Sequence, residues 1–295
     1  MKNLLKFRSD VFRAVRTFFD QRDFVEVHTP VRIPYPALEQ YIDPEPSGDF
    51  FLRTSPEFHM KRMICAGLDR IYQLDPCFRQ GELGRLHNPE FFMLEWYRTD
   101  ADYIDILVDT KALISTIALE VCSDTRLKTR DEPIELMPDW ELIKVRDAFI
   151  EHAGWNPFSE FDPDRFDMDL VMKVEPGLPR DKPVVLTDYP RELAALARAK
   201  PGNPDVAERW ELYIGGIEIA NAYSELANAS ELRKRFEYWR DKREEQGKAI
   251  CDFDEEFITA MENGMPECAG IALGIDRLVM LLANRDTLAD VMPFF

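Results

Sequence analysis

The 295 residues are 45% apolar and 12% aromatic, enough to bury a substantial core in one large domain or two small ones. A formal charge of −18 argues against a large nucleic-acid footprint, which needs clustered lysine and arginine, and suits a small cationic substrate. No run of about 18 apolar residues occurs and the stretch after Met1, Lys2 and Asn3 is too short for a signal peptide, so a cytoplasmic location is expected.

Ser9 is placed to cap a helix running to about Arg22, because Val11, Phe12, Val15, Phe18 and Phe19 share one face at helical spacing. A short strand over Phe24–His28 stops at Thr29-Pro30. The proline-rich stretch Ile33–Gly48 reads as an irregular loop that ends in a strand over Phe50–Arg53. Ser55 is the expected N-cap of the next helix, with Pro56 at the first helical position and Gly67 closing it. Segments Arg70–Phe78 and Phe91–Arg98 then flank the polar run GELGRLHNPE and predict a hairpin with a long loop. Helical patterns cover Asp102–Val121 and parts of residues 139–200, read as a helical insertion in a single domain spanning residues 1–295. A second hairpin, WELYI-GG-IEIA, turns at Gly215-Gly216, and a helix follows over Ser230–Gln246. The end, CAGIALGIDRLVMLL, predicts a small-residue strand leading into a helix near Asp276. Hairpin-joined strands with helices gathered elsewhere indicate an α+β fold, an antiparallel sheet flanked by helices.

The five cysteines, Cys65, Cys77, Cys122, Cys251 and Cys268, form no CxxC and have no nearby histidine, so neither a disulfide framework nor a zinc site is indicated. No GxxxxGK[ST] and no GxGxxG is present, so any phosphate must be held by side chains. Strand alternation in FFMLEWYR puts Phe91, Met93, Glu95 and Tyr97 on one face, a ring to stack on beside a carboxylate for a cation. Arg79, Arg85 and His87 supply potential cations around the preceding turn, and arginine suits phosphate because its planar fork donates bidentately. In the second hairpin Glu211 and Glu218 fall on one face, a pair of hard oxygen donors suited to Mg²⁺ together with phosphate.

Three stretches in order resemble the signature motifs of class II aminoacyl-tRNA synthetases. The segment ending at Pro30 resembles the first, a dimer-interface element; FRQGELGRLHNPEFFMLEWYR resembles the second and GIALGIDRL the third. Together with TSPE and ELYIGGIEIANAYSEL, the likeness spans nearly the whole chain. It is closest to the lysyl enzymes and to their shorter relatives, ligases that attach lysine or β-lysine to elongation factor P. The resemblance implies that Arg79 and Arg277 hold ATP phosphates and act in catalysis, that Phe91 stacks on adenine, and that His87 and Arg85 reach the outer phosphates. It further implies Mg²⁺ on Glu211 and Glu218, and an amino-acid pocket formed by Glu57, Glu95, Tyr97, Asn221 and Glu225. Ser55 and Ala272 stand where lysyl-tRNA synthetases usually carry Ala and Gly, and there the chain resembles the elongation factor ligases. Many class II motifs read FRxE; here Gly81 takes that Glu's place and Glu82, assigned to the ATP site, follows it. Asn221 sits on the wrong face of a regular hairpin, so a bulge is required there.

Taken singly, Arg79 and Arg277 read as surface ion-pair partners, Phe91 and Tyr97 as core aromatics, and Glu211 and Glu218 as the wet face of a hairpin. Their joint occurrence in order reverses that reading. Only about thirty residues precede Pro30, which leaves no room for an anticodon-binding domain on that side. The expectation is therefore a homodimeric, ATP- and Mg²⁺-dependent enzyme that makes a lysyl or β-lysyl adenylate and transfers it to elongation factor P, not to tRNA. A minimal lysyl-tRNA synthetase, a free-standing amino-acid ligase and a catalytically silent amino-acid-binding paralogue are the rival readings.

Overall fold

In the computed structural model, which describes residues 1–37, 42–129, 132–137, 139–292 and 294, the apolar N-terminal stripe forms helix α1, Lys2–Asp20. Ser9 is an exposed residue inside this helix and not its cap, because Leu4 and Phe7 extend the stripe toward the N-terminus and onto the core. The expected loop Ile33–Gly48 falls partly outside the described residues; at its ends Arg32–Ile33 and Pro46–Ser47 pair with Phe50–Leu52 in a small sheet.

The main sheet is built from β1 (Val25–Glu26), β2 (Arg70–Phe78), β3 (Glu90–Thr99), β4 (Glu141–Lys144), β5 (Val184–Pro190), β6 (Ala199–Lys200), β7 (Asn203–Ile214), β8 (Ile217–Ser224) and β9 (Cys268–Gly274). Their order is β1-β2-β3-β9-β8-β7-β5-β4, with β6 paired along β7. Neighbours run antiparallel except at the two edges, where β1 lies parallel to β2 and β4 parallel to β5. Residues 139–200, expected to be a helical insertion, contain helices α4 (Val145–His152) and α5 (Pro163–Asp169) and also supply three strands of the sheet, β4, β5 and β6. Val184, Val185 and Leu186 are buried on both faces, and such a continuous apolar run has no period that separates strand from helix.

Alternation along the strands sorts their side chains. Tyr72, Trp96, Ile271, Ala222 and Trp210 form one cross-strand row that enters the main core, covered by α1 and by α3, Tyr103–Cys122. A second core joins α2 (Glu57–Cys65), α6 (Ala229–Glu245) and α7 (Glu255–Glu262) through Phe58, Phe236 and Phe257. Helix α7 had no counterpart in the sequence reading; Asp254 caps it, accepting from the Phe257 N–H at 3.0 Å. No helix among the described residues is long and apolar enough to cross a membrane.

Helix α3 carries a reciprocal cap. The Asp102 carboxylate accepts from the N–H groups of Ile104 and Asp105, and the Asp105 carboxylate accepts from Asp102 N–H at 3.0 Å. Asp102→Ala leaves these donors to water and should lower stability by about 1 kcal/mol. Urea unfolding should show an earlier midpoint with an unchanged slope; an unchanged midpoint would deny the cap any energetic role.

Candidate active site

The face of the sheet opposite the main core carries the polar rows. One row reads Gln73, Glu95, Ala272, Asn221 and Glu211 across five strands, and the next reads Ile71, Tyr97, Gly270, Tyr223 and Arg209. Asn221 reaches its row through the bulge that the sequence demanded. Tyr213 faces Glu218, the register then shifts, and Glu211 faces Asn221. The hairpin turn makes this register possible: Gly215 and Gly216 have φ of +62° and +77°, the left-handed pair a two-residue turn of this kind needs.

A cavity of about 280 Å³ lies over these rows. At one end carboxylates gather. Glu57 comes from the first turn of α2, with Ser55 just before it, and Glu95 from β3. The helix starts one residue later than expected, with Pro56 and not Ser55 at the N-cap, because Pro56 O accepts the first helical bond, from Met60 N–H. The Ser55 hydroxyl accepts from Glu57 N–H at 3.0 Å and donates to Glu95 Oε1 at 2.7 Å, orienting a site carboxylate. Tyr97 donates to Glu95 Oε2 at 3.0 Å, and Tyr223 donates to Glu57 Oε1 at 2.6 Å. Burial first, and the charge of Glu57 second, push Glu95 up to about 8 despite the two hydroxyl donors. Glu225 does not line the cavity. It lies behind Gly270, where a Cβ would clash with the Tyr97 ring and stand 2.7 Å from Glu225 Oε1. Glycine there keeps the floor open between the ring and the carboxylate.

At the other end stand the arginines. Arg79 lies 5.2 Å from the Phe91 ring centre, and its buried Nε has no acceptor among the described residues, an open donor for an anion. Arg277, near the start of helix α8 (Ile275–Leu282), donates to the backbone oxygens of Glu218 and Leu86 and contacts His87 Nε2 at 2.8 Å. Burial and the Arg277 charge lower the His87 pKa, so the ring is a neutral acceptor that orients Arg277, not the cation expected from sequence. Arg85, also expected here, is outside the lining and donates to the Asp286 carbonyl at 3.0 Å. Gly81 adopts φ +77°, and the turn it makes places Glu82 on the rim, 3.9 Å from Arg79.

Arg209 donates to Glu211 Oε1, which keeps a lone pair to spare, while the Tyr189 and Tyr213 hydroxyls donate to Oε2. Glu218 lines the cavity 3.4 Å from Arg277. Desolvation by the cavity wall and the negative charge of Glu211 raise its pKa, and Glu175, raised by burial, feels both carboxylates. This acidic excess fits a dication. Among the described residues no group of three acidic, histidine or cysteine side chains is arranged to hold a metal ion.

Lys61, Tyr223, Arg209 and Asp276 were missed by the sequence reading. Each had a signal: Lys61 lies four residues after Glu57 on a helix, and Tyr223 and Arg209 lie two residues from predicted site positions on strands. Asp276 accepts from Phe92 N–H at 2.7 Å and pairs with Arg8 of α1, tying the start of α8 to β3.

The model of the family described as tRNA synthetases class II (D, K and N) matches residues 1–295. The chain belongs to the class II tRNA synthetase family. Among its relatives, the elongation factor P (R)-β-lysine ligase of Hamiltonella defensa is 36% identical, the match covering 100% of this chain and 95% of that protein. The ligase of the same name from Pectobacterium atrosepticum is 37% identical over 99% of this chain and 94% of its own length. A lysine–tRNA ligase of Pelotomaculum thermopropionicum is 35% identical over 100% of this chain, which spans 63% of that relative. The polar rows described above lie on the sheet of this class II fold, and its fold class agrees with the α+β expectation.

The Glu95 shift has a sign. The unfolded carboxyl loses its proton near 4.5, whereas the folded one keeps it to about 8, so between these values the folded state binds more protons. Stability from this group therefore falls as pH rises from about 5 to about 8. Glu95→Gln should flatten that fall, raising the melting temperature relative to the native protein more at pH 8 than at pH 5. Parallel melting-temperature profiles for the two proteins would contradict the assignment.

Proposed function

We propose that this chain activates lysine or β-lysine with ATP as an aminoacyl-adenylate and transfers the aminoacyl group to a lysine side chain of elongation factor P. The observation that carries the reading is one cavity with Glu57 and Glu95, backed by Glu225, at one end and Arg79 with Arg277 at the other. The names of the full-length relatives supply the acceptor. A substrate with two ammonium groups meets the carboxylates, Asn221 and Tyr97, while Ser55 and Ala272 shape the floor between them. Its own carboxylate is then directed at the arginines.

In the first step a substrate carboxylate oxygen attacks the α-phosphorus of ATP and the bond to the bridging oxygen breaks, releasing pyrophosphate. Phe91 offers its face to the adenine. Arg79 and Arg277 neutralise charge developing on the phosphoryl oxygens, and His87 keeps Arg277 oriented. Mg²⁺, held through Glu218 with Glu211, supplies further positive charge to those oxygens when bound. In the second step the neutral ε-amine of the acceptor lysine attacks the adenylate carbonyl; AMP leaves with the former carboxylate oxygen, a proton is released and an amide forms. No protein nucleophile is needed. A homodimer acting in the cytoplasm, with Glu82 on the ATP side, completes the reading.

Arg277→Ala should slow lysine-dependent ATP–pyrophosphate exchange by about a hundredfold, the effect of removing a charge-stabilising donor worth ~3 kcal/mol, with the circular dichroism unchanged. Near-normal exchange would remove Arg277 from the chemistry.

The acceptor is tested directly. Purified protein with ATP, Mg²⁺ and lysine or β-lysine should add the mass of one such residue to elongation factor P, and the gain should vanish when the acceptor lysine is replaced by arginine. Efficient charging of tRNA with no mass change on the factor would replace this reading by that of a lysyl-tRNA synthetase, the activity named for the Pelotomaculum relative.

A further inference from the structure

The carboxylate end of the cavity contains a cation that belongs to the protein. Lys61, on α2, is 2% exposed and does not line the cavity. Its ammonium lies 2.5 Å from Glu57 Oε1 and in direct contact with Glu225 Oε2, with the Tyr223 ring centre at 5.3 Å and that of Tyr97 at 6.0 Å. Each carboxylate thereby has one oxygen anchored. Glu57 Oε1 also takes the Tyr223 hydroxyl, and Glu225 Oε1 is buried with no hydrogen-bond donor among the described residues, packed against Gly270.

We propose that Lys61 is a positioning residue for the amino-acid substrate: its ammonium, paired with Glu57 and Glu225 behind the cavity wall, fixes the orientation of both carboxylates and leaves the second oxygen of Glu57 turned to an ammonium group of the substrate. This rests on the diamino-acid reading given above. Two electrostatic effects of Lys61 oppose one another. It repels an incoming ammonium, and it stabilises the acceptor that receives one. Lys61 touches its two carboxylates, whereas the substrate meets the far oxygen of Glu57; attraction at contact exceeds repulsion at the longer distance. Without Lys61, Glu57 and Glu225 would lose the cation that fixes their orientation, and a carboxylate buried without its partner is costly.

The titratable groups around the pair are Glu95 and Tyr97 from β3, Tyr223 from β8, Cys268 from β9, and Glu57 and Cys65 from α2. Arg198 is held by Glu208 and Glu267, while Arg62 on α2 pairs with Asp254 and Glu256. Burial works against the Lys61 charge, but Glu225 and Glu57 override it and hold its pKa above the ordinary lysine value. Burial also pushes Glu225 up to about 8 against the pull of Lys61, so deleting the ammonium moves Glu225 further up.

The test is pyrophosphate exchange by the native protein and by Lys61→Met and Lys61→Gln at about pH 7, with lysine, β-lysine and ATP each varied. The expected result for both variants is an amino-acid KM raised roughly ten- to hundredfold and an unchanged KM for ATP. An unchanged amino-acid KM, an equal rise in the KM for ATP, or failure of both variants to fold would make Lys61 merely structural and overturn the proposal. Tighter binding of the amino acid would overturn it in the other sense, by showing that repulsion wins. Absence of lysine- or β-lysine-dependent exchange in the native protein would remove the functional reading itself, and the role of Lys61 with it.

Discussion

A β-strand sends successive side chains to opposite faces, and everything in this site depends on five strands keeping that parity together. Trp96, Trp210 and Ile271 point into the apolar core, so Glu95, Glu211 and Ala272, one residue away, must point into the cavity. A slip of one residue in any strand would bury a carboxylate in that core and expose a tryptophan. The core therefore sets the register, and the register sets the site. The single place where parity breaks, the bulge between the hairpin turn and Glu211, allows Glu218 and Asn221 to share a face although their sequence spacing is odd.

This explains which parts of the molecule were legible in the sequence. The period of two in FFMLEWYR, the Gly215-Gly216 turn and the small-residue strand before Asp276 gave strands, register and site face together, because local geometry alone determines them. The bulge was readable only because Asn221 needed it. Val184–Leu186 was read wrongly because a strand buried on both faces has no alternation, and its place beside β7 depends on long-range pairing. Ser9 was misplaced because serine, though favoured at caps, is tolerated on an exposed helical face, and the apolar stripe continues past it through Phe7 to Leu4.

The residues that line the cavity were legible by type, and those behind its wall were not. Arg79, Arg277, Glu57 and Glu95 carry chemistry that their neighbours in sequence make plain. Whether His87 is a cation or an acceptor, and whether Arg85 faces the cavity or Asp286, depends on what surrounds each side chain in space. Lys61 belongs to the same class: a helical i,i+4 partner of Glu57 by spacing is an ordinary surface pair, and only burial against Glu225 makes it part of the site.

The link between Arg8 and Asp276 joins residues 268 positions apart. Helix α1 therefore has to wait until residue 276 is made before this partner exists, while Val11, Val15, Phe18 and Phe19 remain without the strand β9 that completes their core. Such non-local closure makes folding slow and leaves an early apolar face uncovered during synthesis, the condition under which chaperones are needed. The same Asp276 accepts from the Phe92 N–H and precedes Arg277, so this late contact also fixes the arginine end of the cavity. A nascent chain stalled before residue 276 would hold every carboxylate of the other end and only one of the two arginines.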